Sequence, residues 1–350
     1  MCPPVAKGAH AGAPLQFGVL KKEIAMNVLV TGGAGFIGSH LVERLLGEGH
    51  RVVCLDNFDD FYDPALKRRN LARSLQDPAF RLVEGDLRDE GALRKILASA
   101  KVDGVAHLAA RAGVRPSVQN PALYADVNIR GTICLLEACR ENGVRRFIFA
   151  SSSSVYGNSS QVPFSEDDPV NHPISPYAAT KKAGELLCHT YHHLYGMDMA
   201  CLRYFTVYGP RQRPEMAIHH FTRSIHEGKK ISLFGDGSSR RDYTYIDDAV
   251  DGTVGALFRE HGFQIYNIGE SQTISLGELI QAIEDRVGRK AVVEHLPEQP
   301  GDVQQTFADI RKAKERLGYN PQTKVREGLA RFVQWYLEKR EKLLDTDKHR

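Results

Sequence analysis

Short apolar runs alternate with longer amphipathic segments from Met26 onward. Seven such runs recur along the chain: NVLVTG, RVVCLD, FRLVEGD, GVAHLAA, RFIFAS, MACLRY and QIYNIG. Between them lie segments with helical spacing, for example 36–47, 90–99 and 123–141. Strands without strict polar alternation, separated by helices, indicate a parallel sheet that is covered on both faces. The pattern therefore predicts an α/β fold built on a doubly wound parallel sheet.

The last two-fifths of the chain follow a different pattern and predict a smaller α/β lobe. Residues 228–245 are rich in strands and turns, and helical spacing resumes at 247–258, 276–287 and 325–338. Because QIYNIG reads as one more strand of the first sheet, the two lobes are expected to interleave. We predict a nucleotide-binding domain of 26–204 plus about 242–273, and a substrate-binding lobe of about 205–241 plus 274–340.

The ends of the chain and its cysteines bear on the compartment. Residues 1–25 lack the continuous apolar core of a secretory signal, and we expect a disordered extension there. The six cysteines form no CxxC pair and no cysteine–histidine cluster at zinc spacing. Most lie in apolar runs, where a thiol is usually a small buried group. We therefore expect free thiols and a cytoplasmic protein.

Composition and charge exclude several classes of function. Of the 350 residues, 42% are hydrophobic and 25% are charged, which is typical of a globular protein. The 46 Lys and Arg residues against 43 Asp and Glu residues leave a net charge of +3, too small to indicate a nucleic acid partner. No apolar stretch approaches the roughly 20 residues that cross a membrane. We expect neither a nucleic acid nor a membrane partner.

A glycine-rich loop, TGGAGFIG, connects the first strand to an amphipathic helix. Gly32, Gly35 and Gly38 allow a tight turn, close approach of the backbone to a pyrophosphate, and close packing of helix on strand. The N–H groups at the helix N-terminus favour phosphate. Asp56 ends the second strand, where a carboxylate binds the adenosine ribose hydroxyls and repels a 2′-phosphate. This combination predicts a Rossmann domain that binds NAD in preference to NADP.

Other strand ends extend the predicted cofactor site. Asp86 ends the third strand, where it can accept a hydrogen bond from the adenine amino group, and the small residues of HLAA end the fourth strand beside the pyrophosphate. His107 of that motif is expected to be a packed strand residue and not an acid or base. The predicted cofactor contacts are Gly32, Gly35, Phe36, Ile37, Gly38, Asp56, Asn57, Asp86, Leu87, Leu108, Ala109, Ala110, Tyr177, Lys181 and Tyr204.

A serine-rich strand end and a tyrosine–lysine pair carry the predicted chemistry. Ser152 lies in ASSSSVYG, and Tyr177 and Lys181 follow in SPYAATK. Pro176 suits the first turn of a helix, which places Tyr177 and Lys181 at i and i+4 on one face. A tyrosine with a pKa near ~10 is a poor base at neutral pH, but a neighbouring ammonium stabilises its phenolate. The serine hydroxyl can position a substrate alcohol for proton transfer.

Together these motifs resemble the extended short-chain dehydrogenase/reductases of the nucleotide-sugar epimerase and dehydratase group. The resemblance spans about residues 26–336 and rests on TGGAGFIG, LDN, GDLRD, HLAA, SSSSVYG and YxxxK in combination. It implies oxidation of a sugar C4 hydroxyl by a tightly bound, recycled NAD. It also implies that Ser152 assists catalysis, that Tyr177 is the base, and that Lys181 additionally holds the nicotinamide ribose.

Departures from the group's motifs favour one reaction. Related 4,6-dehydratases carry Asp-Glu at the positions of Ser153 and Ser154, and UDP-glucuronate decarboxylases carry Glu at Ser154. UDP-glucose 4-epimerases usually carry Asn-Pro at Thr206 and Val207, whereas VYGPRQRPEMA and QPGDV resemble UDP-glucuronate 4-epimerases. The resemblance thus implies an isomerase that interconverts UDP-glucuronate and UDP-galacturonate through a 4-keto intermediate. The alternatives are a UDP-glucose or UDP-N-acetylhexosamine 4-epimerase, a UDP-glucuronate decarboxylase, and a non-catalytic NAD-binding scaffold.

An anionic sugar calls for a guanidinium or a set of hydroxyls. We predict Arg213 as the carboxylate anchor, with Arg211 as the alternative. Arg241 in RRDYTY resembles the family arginine that contacts the UDP diphosphate, although Arg240 could take its place, and Asp302 resembles the residue that binds the uridine ribose. The predicted substrate contacts are Ser152, Ser153, Ser154, Thr206, Arg213, Arg241 and Asp302.

Two further expectations concern metals and assembly. Several histidines lack carboxylate or cysteine partners at ligand spacing, so we predict no metal and expect them on helix surfaces or at an interface. These are His189, His192, His193, His219 and His220. The helical segments 123–141 and 177–195 resemble those that form the family's four-helix dimer interface, which implies a homodimer.

Overall fold

The computed structural model describes residues 25–297 and 304–348, with side chains to residue 339. The predicted extension up to residue 24 and the predicted ligand Asp302 lie outside these residues. The strands are β1 (Asn27–Thr31), β2 (Arg51–Asp56), β3 (Phe80–Glu84), β4 (Gly104–His107), β5 (Arg146–Ser152), β6 (Asp198–Tyr204), β7 (Thr206–Tyr208), β8 (Lys230–Phe234), β9 (Arg240–Tyr245), β10 (Phe263–Ile268), β11 (Thr273–Ser275) and β12 (Val292–Leu296).

Helices follow most of these strands. They are α1 (Phe36–Gly47), α2 (Pro64–Asn70), α3 (Glu90–Ala100), α4 (Val114–Gln119), α5 (Pro121–Ala125), α6 (Gly131–Glu141), α7 (Pro176–Tyr195), α8 (Ala217–Glu227), α9 (Ile246–Leu257), α10 (Leu276–Val287), α11 (Arg311–Leu317) and α12 (Val325–Lys348). Short 3₁₀ turns occupy Ser74–Gln76 and Ser153–Tyr156, and a π-helical turn occupies Asp126–Arg130. No helix in the described part of the chain is both long and apolar enough to cross a membrane.

A seven-stranded parallel sheet forms the centre of the fold, in the order β10-β6-β5-β4-β1-β2-β3. The doubly wound α/β fold is confirmed, and QIYNIG is the seventh strand. Alternate residues of β1 enter different cores, with Val28 and Val30 on one face of the sheet and Leu29 on the other. Because the strand order reverses between β1 and β4, a crevice opens at the carboxyl ends of the central strands, where such folds bind ligands.

A smaller lobe contains two further sheets. One has the order β11-β9-β7, with β11 antiparallel and β7 parallel to β9, and the other pairs β12 with β8 in parallel. Helices α8, α10 and α12 pack together in this lobe, whereas α9 packs against α1 on the large sheet. The chain therefore crosses between the lobes more than once. The boundaries given above for the two domains stay a prediction.

The predicted helix over 123–141 is present but contains a π-helical turn. Between α5 and α6 the π-helical turn inserts Asn128, whose amide oxygen accepts the N–H of Arg111 at 2.7 Å and whose amide nitrogen donates to the carbonyl of Arg111 at 3.0 Å. Both bonds join residues 17 positions apart. The turn therefore depends on a tertiary contact that helical periodicity does not encode.

One histidine is also placed differently from the prediction. His219 is predicted to lie on a helix surface or at an interface, but it is buried within the chain, and its Nδ1 lies 2.6 Å from the carbonyl oxygen of Gln212. Its ring packs against Phe332, Trp335 and Tyr336 of α12. Burial lowers its pKa to about 4. His219 is therefore a neutral core residue that joins α8 to α12.

Candidate active site

The glycine-rich loop between β1 and α1 leaves no room for side chains. Gly32 has a φ of 69°, and a Cβ there would lie 2.7 Å from the backbone nitrogen of Ala109. A Cβ on Gly38 would lie 2.2 Å from the carbonyl oxygen of Gly32. The loop is therefore a bare backbone cradle at the N-terminus of α1, and this geometry fits the pyrophosphate of a dinucleotide.

Two carboxylates stand at the ends of β2 and β3. Asp56 accepts two backbone N–H groups, at 3.1 and 2.9 Å, and lies 3.7 Å from Nζ of Lys67. Asp86 accepts from Nδ2 of Asn57 at 3.0 Å and from the guanidinium of Arg88. Hydrogen bonds from Arg88 lower the pKa of Asp86 well below its usual value. Both groups are placed to accept hydrogen bonds from an adenosine.

The tyrosine and lysine are held by helix α7. Ser175 caps this helix, its hydroxyl accepting the N–H of Ala178 at 3.1 Å, and the proline in the first turn suits the helix start. Lys181 is buried and its Nζ donates to the carbonyl of Ala150 at 2.7 Å. That Nζ lies 5.9 Å from the centre of the Tyr177 ring. The predicted pairing on one helical face is therefore present.

Burial acts on this pair in opposite directions. It raises the pKa of the Tyr177 phenol, although a hydrogen bond to Ser152 and the charge of Arg213 both favour the phenolate. It lowers the pKa of Lys181 to about 8. In the protein alone the phenol is therefore protonated, and its conversion into a base requires the charged lysine and any positive charge that a cofactor brings.

The serine segment forms the wall opposite α7. The Oγ of Ser152 lies 3.0 Å from the Oγ of Ser154 and accepts the N–H of Ser154 at 3.1 Å. Ser151 faces the other way and donates its hydroxyl to Glu185 at 2.7 Å. The reactive side of this wall is therefore Ser152, Ser153 and Ser154, and it contains hydroxyls where related dehydratases carry carboxylates.

These parts meet in one cavity of about 440 Å³. Every residue predicted above to contact the cofactor lines it. The same cavity is lined by five of the seven predicted substrate contacts, namely Ser152, Ser153, Ser154, Thr206 and Arg213. The cavity therefore brings the dinucleotide cradle, the tyrosine–lysine pair and the serine wall together.

The two candidate carboxylate anchors have different surroundings. Arg211 donates from Nη2 to both carboxylate oxygens of Glu43 in α1, at 2.8 and 2.9 Å, and is not among the lining residues. Arg213 lines the cavity, with Nε 3.2 Å from Glu215 and its guanidinium 5.4 Å from the centre of the Phe61 ring. The geometry therefore favours Arg213.

Arg241 lies outside this cavity. It lines a second one of about 650 Å³, together with Arg115, Arg223 and Glu215. The two cavities adjoin, because the segments 113–115 and 213–217 each place some residues in the first cavity and neighbouring residues in the second. The second cavity thus presents three guanidinium groups beside the first.

Arg240, the sequence alternative to Arg241, turns toward β11. Its Nε and Nη2 donate to the hydroxyl and carbonyl of Thr273 at 3.0 and 2.9 Å, and its Nη1 lies 3.4 Å from Glu278. Arg241 is therefore the better placed of the two for a ligand of the second cavity.

Several lining residues were not predicted. The segment after β2 contributes Phe61 and Tyr62, and the hydroxyl of Tyr62 finds no hydrogen-bond partner among the described residues. Arg111 also lines the cavity and forms an ion pair with Asp59. The ion-pair partner of Arg111 is 52 positions away, so the only sequence signal for Arg111 is its position directly after HLAA at the end of the fourth strand.

A family model described as GDP-mannose 4,6 dehydratase matches residues 29–332. The chain is 47% identical over 311 residues to a UDP-glucuronate 4-epimerase of Thermodesulfobacterium geofontis, covering 89% of this chain and 96% of that one. It is 44% identical over 337 residues to UDP-glucuronate 4-epimerase 3 of Arabidopsis thaliana, covering 91% and 78%. The chain belongs to the extended short-chain dehydrogenase/reductases.

Solved structures of this family share the fold. A UDP-glucuronic acid 4-epimerase from Bacillus cereus, in complex with UDP-glucuronic acid and NAD, superposes with a TM-score of 0.84 at 40% identity, covering 89% of this chain and 99% of that one. A UDP-glucose 4-epimerase from Thermotoga maritima, with UDP-glucose, gives 0.83 at 35% identity, covering 90% and 99%. No group of three or more potential metal ligands occurs in the described part of this short-chain dehydrogenase/reductase.

Proposed function

We propose that the protein is an NAD-dependent 4-epimerase that interconverts UDP-glucuronate and UDP-galacturonate. The observation that carries this proposal is the placement of Arg213 in the cavity of Tyr177 and Ser152, where it can bind an anionic sugar. The identities of 44–47% to UDP-glucuronate 4-epimerases support the same substrate. The neutral-sugar, decarboxylase and scaffold alternatives are not favoured.

The residues of this chain then divide the work. The glycine cradle, Asp56 and Lys181 would hold NAD, which when bound supplies the acceptor and later the donor of hydride at the sugar C4 carbon. Ser152 positions the C4 hydroxyl, and Tyr177 removes its proton while the charge of Lys181 stabilises the phenolate. The 4-keto sugar would then rotate in the cavity and present the other face of C4 to the bound cofactor, and as C4 is reduced Tyr177 returns the proton to the C4 oxygen.

With a glucuronate substrate, the 4-keto intermediate can lose its carboxylate in a side reaction. With C4 oxidised, the C5 carboxylate belongs to a β-keto acid and can leave as carbon dioxide. Arg213 would hold the carboxylate close to the sugar plane, where the breaking bond overlaps poorly with the ketone. Ser153 and Ser154 lie in the same cavity at the positions where 4,6-dehydratases carry Asp and Glu. They provide hydroxyls and no acid or base for an elimination of water.

The second cavity suits the nucleotide part of the substrate. Arg115, Arg223 and Arg241 would bind the diphosphate, with guanidinium groups that match phosphate geometry. The large sheet would then carry NAD and the smaller lobe the UDP moiety, with the sugar where the two cavities adjoin. Asp302 remains the predicted uridine ribose ligand.

One experiment tests substrate, reaction and cofactor together. The purified protein is supplied with UDP-glucuronate without added NAD, and the products are followed by NMR, with UDP-glucose as a parallel substrate. We expect UDP-galacturonate to form, because NAD is retained from the cell. Exclusive turnover of UDP-glucose, or a pentose product alone, would contradict the proposal. If nothing forms, NAD is added, which separates a lost cofactor from a wrong substrate.

We further propose a cytoplasmic homodimer. Ile133 of α6 and Leu186, Leu194 and Tyr195 of α7 are exposed large apolar side chains on the two helices that resemble the family's dimer interface. An exposed apolar face of this kind favours association. The cysteines of the described residues are buried free thiols, which fits a reducing compartment.

A further inference from the structure

A buried chain of hydrogen bonds begins beside the dinucleotide cradle. The N–H of Ala109 donates to Oγ1 of Thr31 at 3.3 Å, and Oγ1 of Thr31 lies 2.7 Å from Nδ1 of His107. Thr31 and His107 are register partners in the adjacent strands β1 and β4. The cradle glycine follows Thr31 directly, so this contact fixes the end of β1 where the loop begins.

On the other side of the ring the chain continues to the π-helical turn. Nε2 of His107 lies 3.0 Å from Oγ1 of Thr132, and that hydroxyl donates to the carbonyl of Asn128 at 2.6 Å. Because the hydroxyl of Thr132 donates its only proton to the carbonyl of Asn128, Nε2 of His107 must be the donor to Thr132. Nδ1 is then the acceptor of the Thr31 hydroxyl, and the tautomer of a neutral ring is fixed.

The imidazole has no route to solvent. His107 is 2% exposed, and Thr31, Thr132 and Asn128 are each 3% exposed or less. Burial, together with the charge of Lys181, lowers the pKa of His107 to about 3, which keeps the ring neutral. A neutral ring with one donor and one acceptor is what the two threonines require.

From the π-helical turn the chain reaches the catalytic helix. Nδ2 of Asn128 donates to Oγ1 of Thr180 at 3.0 Å, and that hydroxyl donates to the carbonyl of Tyr177 at 2.8 Å. The path therefore connects the cofactor loop at Thr31 to the backbone of the proposed base, with His107 at its centre.

We propose that His107 is a positioning residue that couples the dinucleotide loop to the catalytic helix, and that Thr132 passes this coupling on to α7. His107 is not among the residues that line the cavity, so its imidazole acts through Thr31 on one side and through Thr132 on the other. Its catalytic part rests on the proposed function, whereas its effect on NAD retention does not.

The first test separates positioning from mere packing at Thr132. Thr132→Val removes the hydroxyl at nearly constant volume, and Thr132→Ser keeps it. We expect Thr132→Val to lower kcat about 10- to 100-fold with little change in KM, because small displacements at a reacting centre are costly. Thr132→Ser should recover most of the rate. An equal loss of kcat in Thr132→Val and Thr132→Ser would overturn the coupling through Thr132.

A matched control is available in α8. Thr222 is also fully buried, and its hydroxyl has no hydrogen-bond partner among the described residues. Thr222→Val should leave kcat and NAD content unchanged. If instead the rate falls in proportion to the melting temperature in both threonine-to-valine variants, Thr132 serves packing alone.

The second test separates the effects of the two hydrogen bonds of the His107 ring, one to Thr31 and one to Thr132. In His107→Asn the short amide can accept from Thr31 but cannot reach Thr132, and in His107→Gln the longer amide can donate to Thr132 but leaves Thr31 without its partner. We expect His107→Asn to retain NAD and to lose kcat. His107→Gln should lose NAD several-fold faster during dialysis and recover turnover when NAD is added.

The readouts keep this proposal distinct from the proposed function. NAD content after denaturation and its rate of loss are measured without any sugar. If the wild-type protein fails to act on UDP-glucuronate, the proposed function falls while the Thr31 side of the coupling is still tested. If both His107 variants lose NAD and turnover to the same extent, the division is wrong and the coupling proposal is overturned.

Discussion

At the scale of single residues, the chemistry depends on what surrounds an ordinary side chain. Tyr177 is one of 13 tyrosines and differs from the others by its position one helical turn from the buried Lys181 and beside Ser152. Burial raises its pKa, so the phenol is a weak base until positive charge is close. The site is therefore poised to ionise its tyrosine only when it is loaded.

Replacing Tyr177 with Phe tests this role. We expect turnover of UDP-glucuronate to fall by at least about 100-fold, because the group that carries the proton is lost, while the ring and the retained NAD remain. Product formation by NMR and NAD content after denaturation provide the measurements. Tyr195→Phe, in the last turn of the same helix and exposed, is the matched control. Turnover near the wild-type rate in Tyr177→Phe would rule out this tyrosine as the base.

Replacing Arg213 with Ala tests the anchor. Loss of a charge-assisted bond should raise KM for UDP-glucuronate about 10- to 100-fold, and the freed carboxylate should yield some UDP-pentose by decarboxylation. Arg213→Lys keeps the charge without the bidentate geometry, so its KM for UDP-glucuronate should lie between those of the wild type and Arg213→Ala. Steady-state rates and product NMR decide the matter. An unchanged KM and product ratio would show that Arg213 only supports its loop.

Much of the site could be predicted because motif and backbone go together. The glycines, Asp56 and the tyrosine–lysine pair are recognisable by their spacing to a strand or helix end, and they line the cavity. Phe61 and Tyr62 could not be found in this way, because the segment after β2 reaches the cavity through tertiary packing. Arg211 and Arg213 lie in the same motif, and what distinguishes them, the pairing of Arg211 with Glu43, is visible only in the structure.

At the scale of elements, a buried ion pair ties α7 to the sheet. Glu185 lies one turn beyond Lys181, accepts from Ser151 of β5 and pairs with Arg203 of β6 at 2.8 and 3.0 Å, and both charged side chains are 1% exposed. Arg203 also donates to the hydroxyl of Tyr156 at 3.0 Å. The catalytic helix and the serine wall are therefore held by the same pair.

Breaking this pair should be costly. We expect Glu185→Gln to lower the free energy of unfolding by about 3–5 kcal/mol, because Arg203 is left as an uncompensated buried charge. Urea unfolding at pH 7 measures it. Glu84→Gln is the control, since its pair with Arg68 is more than half exposed on both sides and such pairs contribute about 0–1 kcal/mol. If Glu185→Gln and Glu84→Gln lowered the free energy of unfolding by the same small amount, the buried ion pair would not contribute as proposed.

The stabilisation contributed by Glu185 should depend on pH. Burial alone would raise the pKa of Glu185, but the hydrogen bonds and charge of Arg203 outweigh it, so the pKa lies below its ordinary value. The stabilisation is therefore complete above the unfolded pKa of about 4.3 and is lost as the pH falls through the folded value. The difference in unfolding free energy between wild type and Glu185→Gln should shrink below about pH 4, and a difference that grows there would contradict this sign.

Element boundaries were predictable where the sequence carries its own end signals. Helix α1 matches the predicted 36–47 and α10 the predicted 276–287, and α10 is closed by a capping box of Ser275 and Glu278 and by Gly288. Segment 123–141 is helical as predicted, but its π-helical turn was not predictable, since this turn depends on the tertiary contact of Asn128 with Arg111.

At the scale of the whole molecule, the exposed apolar face of α6 and α7 predicts assembly. Leu186→Glu places a charge at the centre of the proposed interface and should convert a dimer into a monomer, as measured by light scattering after gel filtration. Val292→Glu in β12 is the control, because that valine is also exposed, at 48% against 58% for Leu186, but lies in the smaller lobe. A wild-type protein that is monomeric, or a Leu186→Glu dimer, would contradict the interface.

The interleaving of the two lobes has a consequence for synthesis of the chain. Strand β10 occupies the edge of the large sheet next to β6, yet β7, β8 and β9 of the smaller lobe are translated before it. Until Ile268 has left the ribosome, β6 presents an unpaired edge, which is a template for pairing with another nascent chain. The sheet can therefore be completed only after the first part of the smaller lobe has been synthesised. We expect the nascent chain to be most prone to aggregate while synthesis proceeds from β6 to β10.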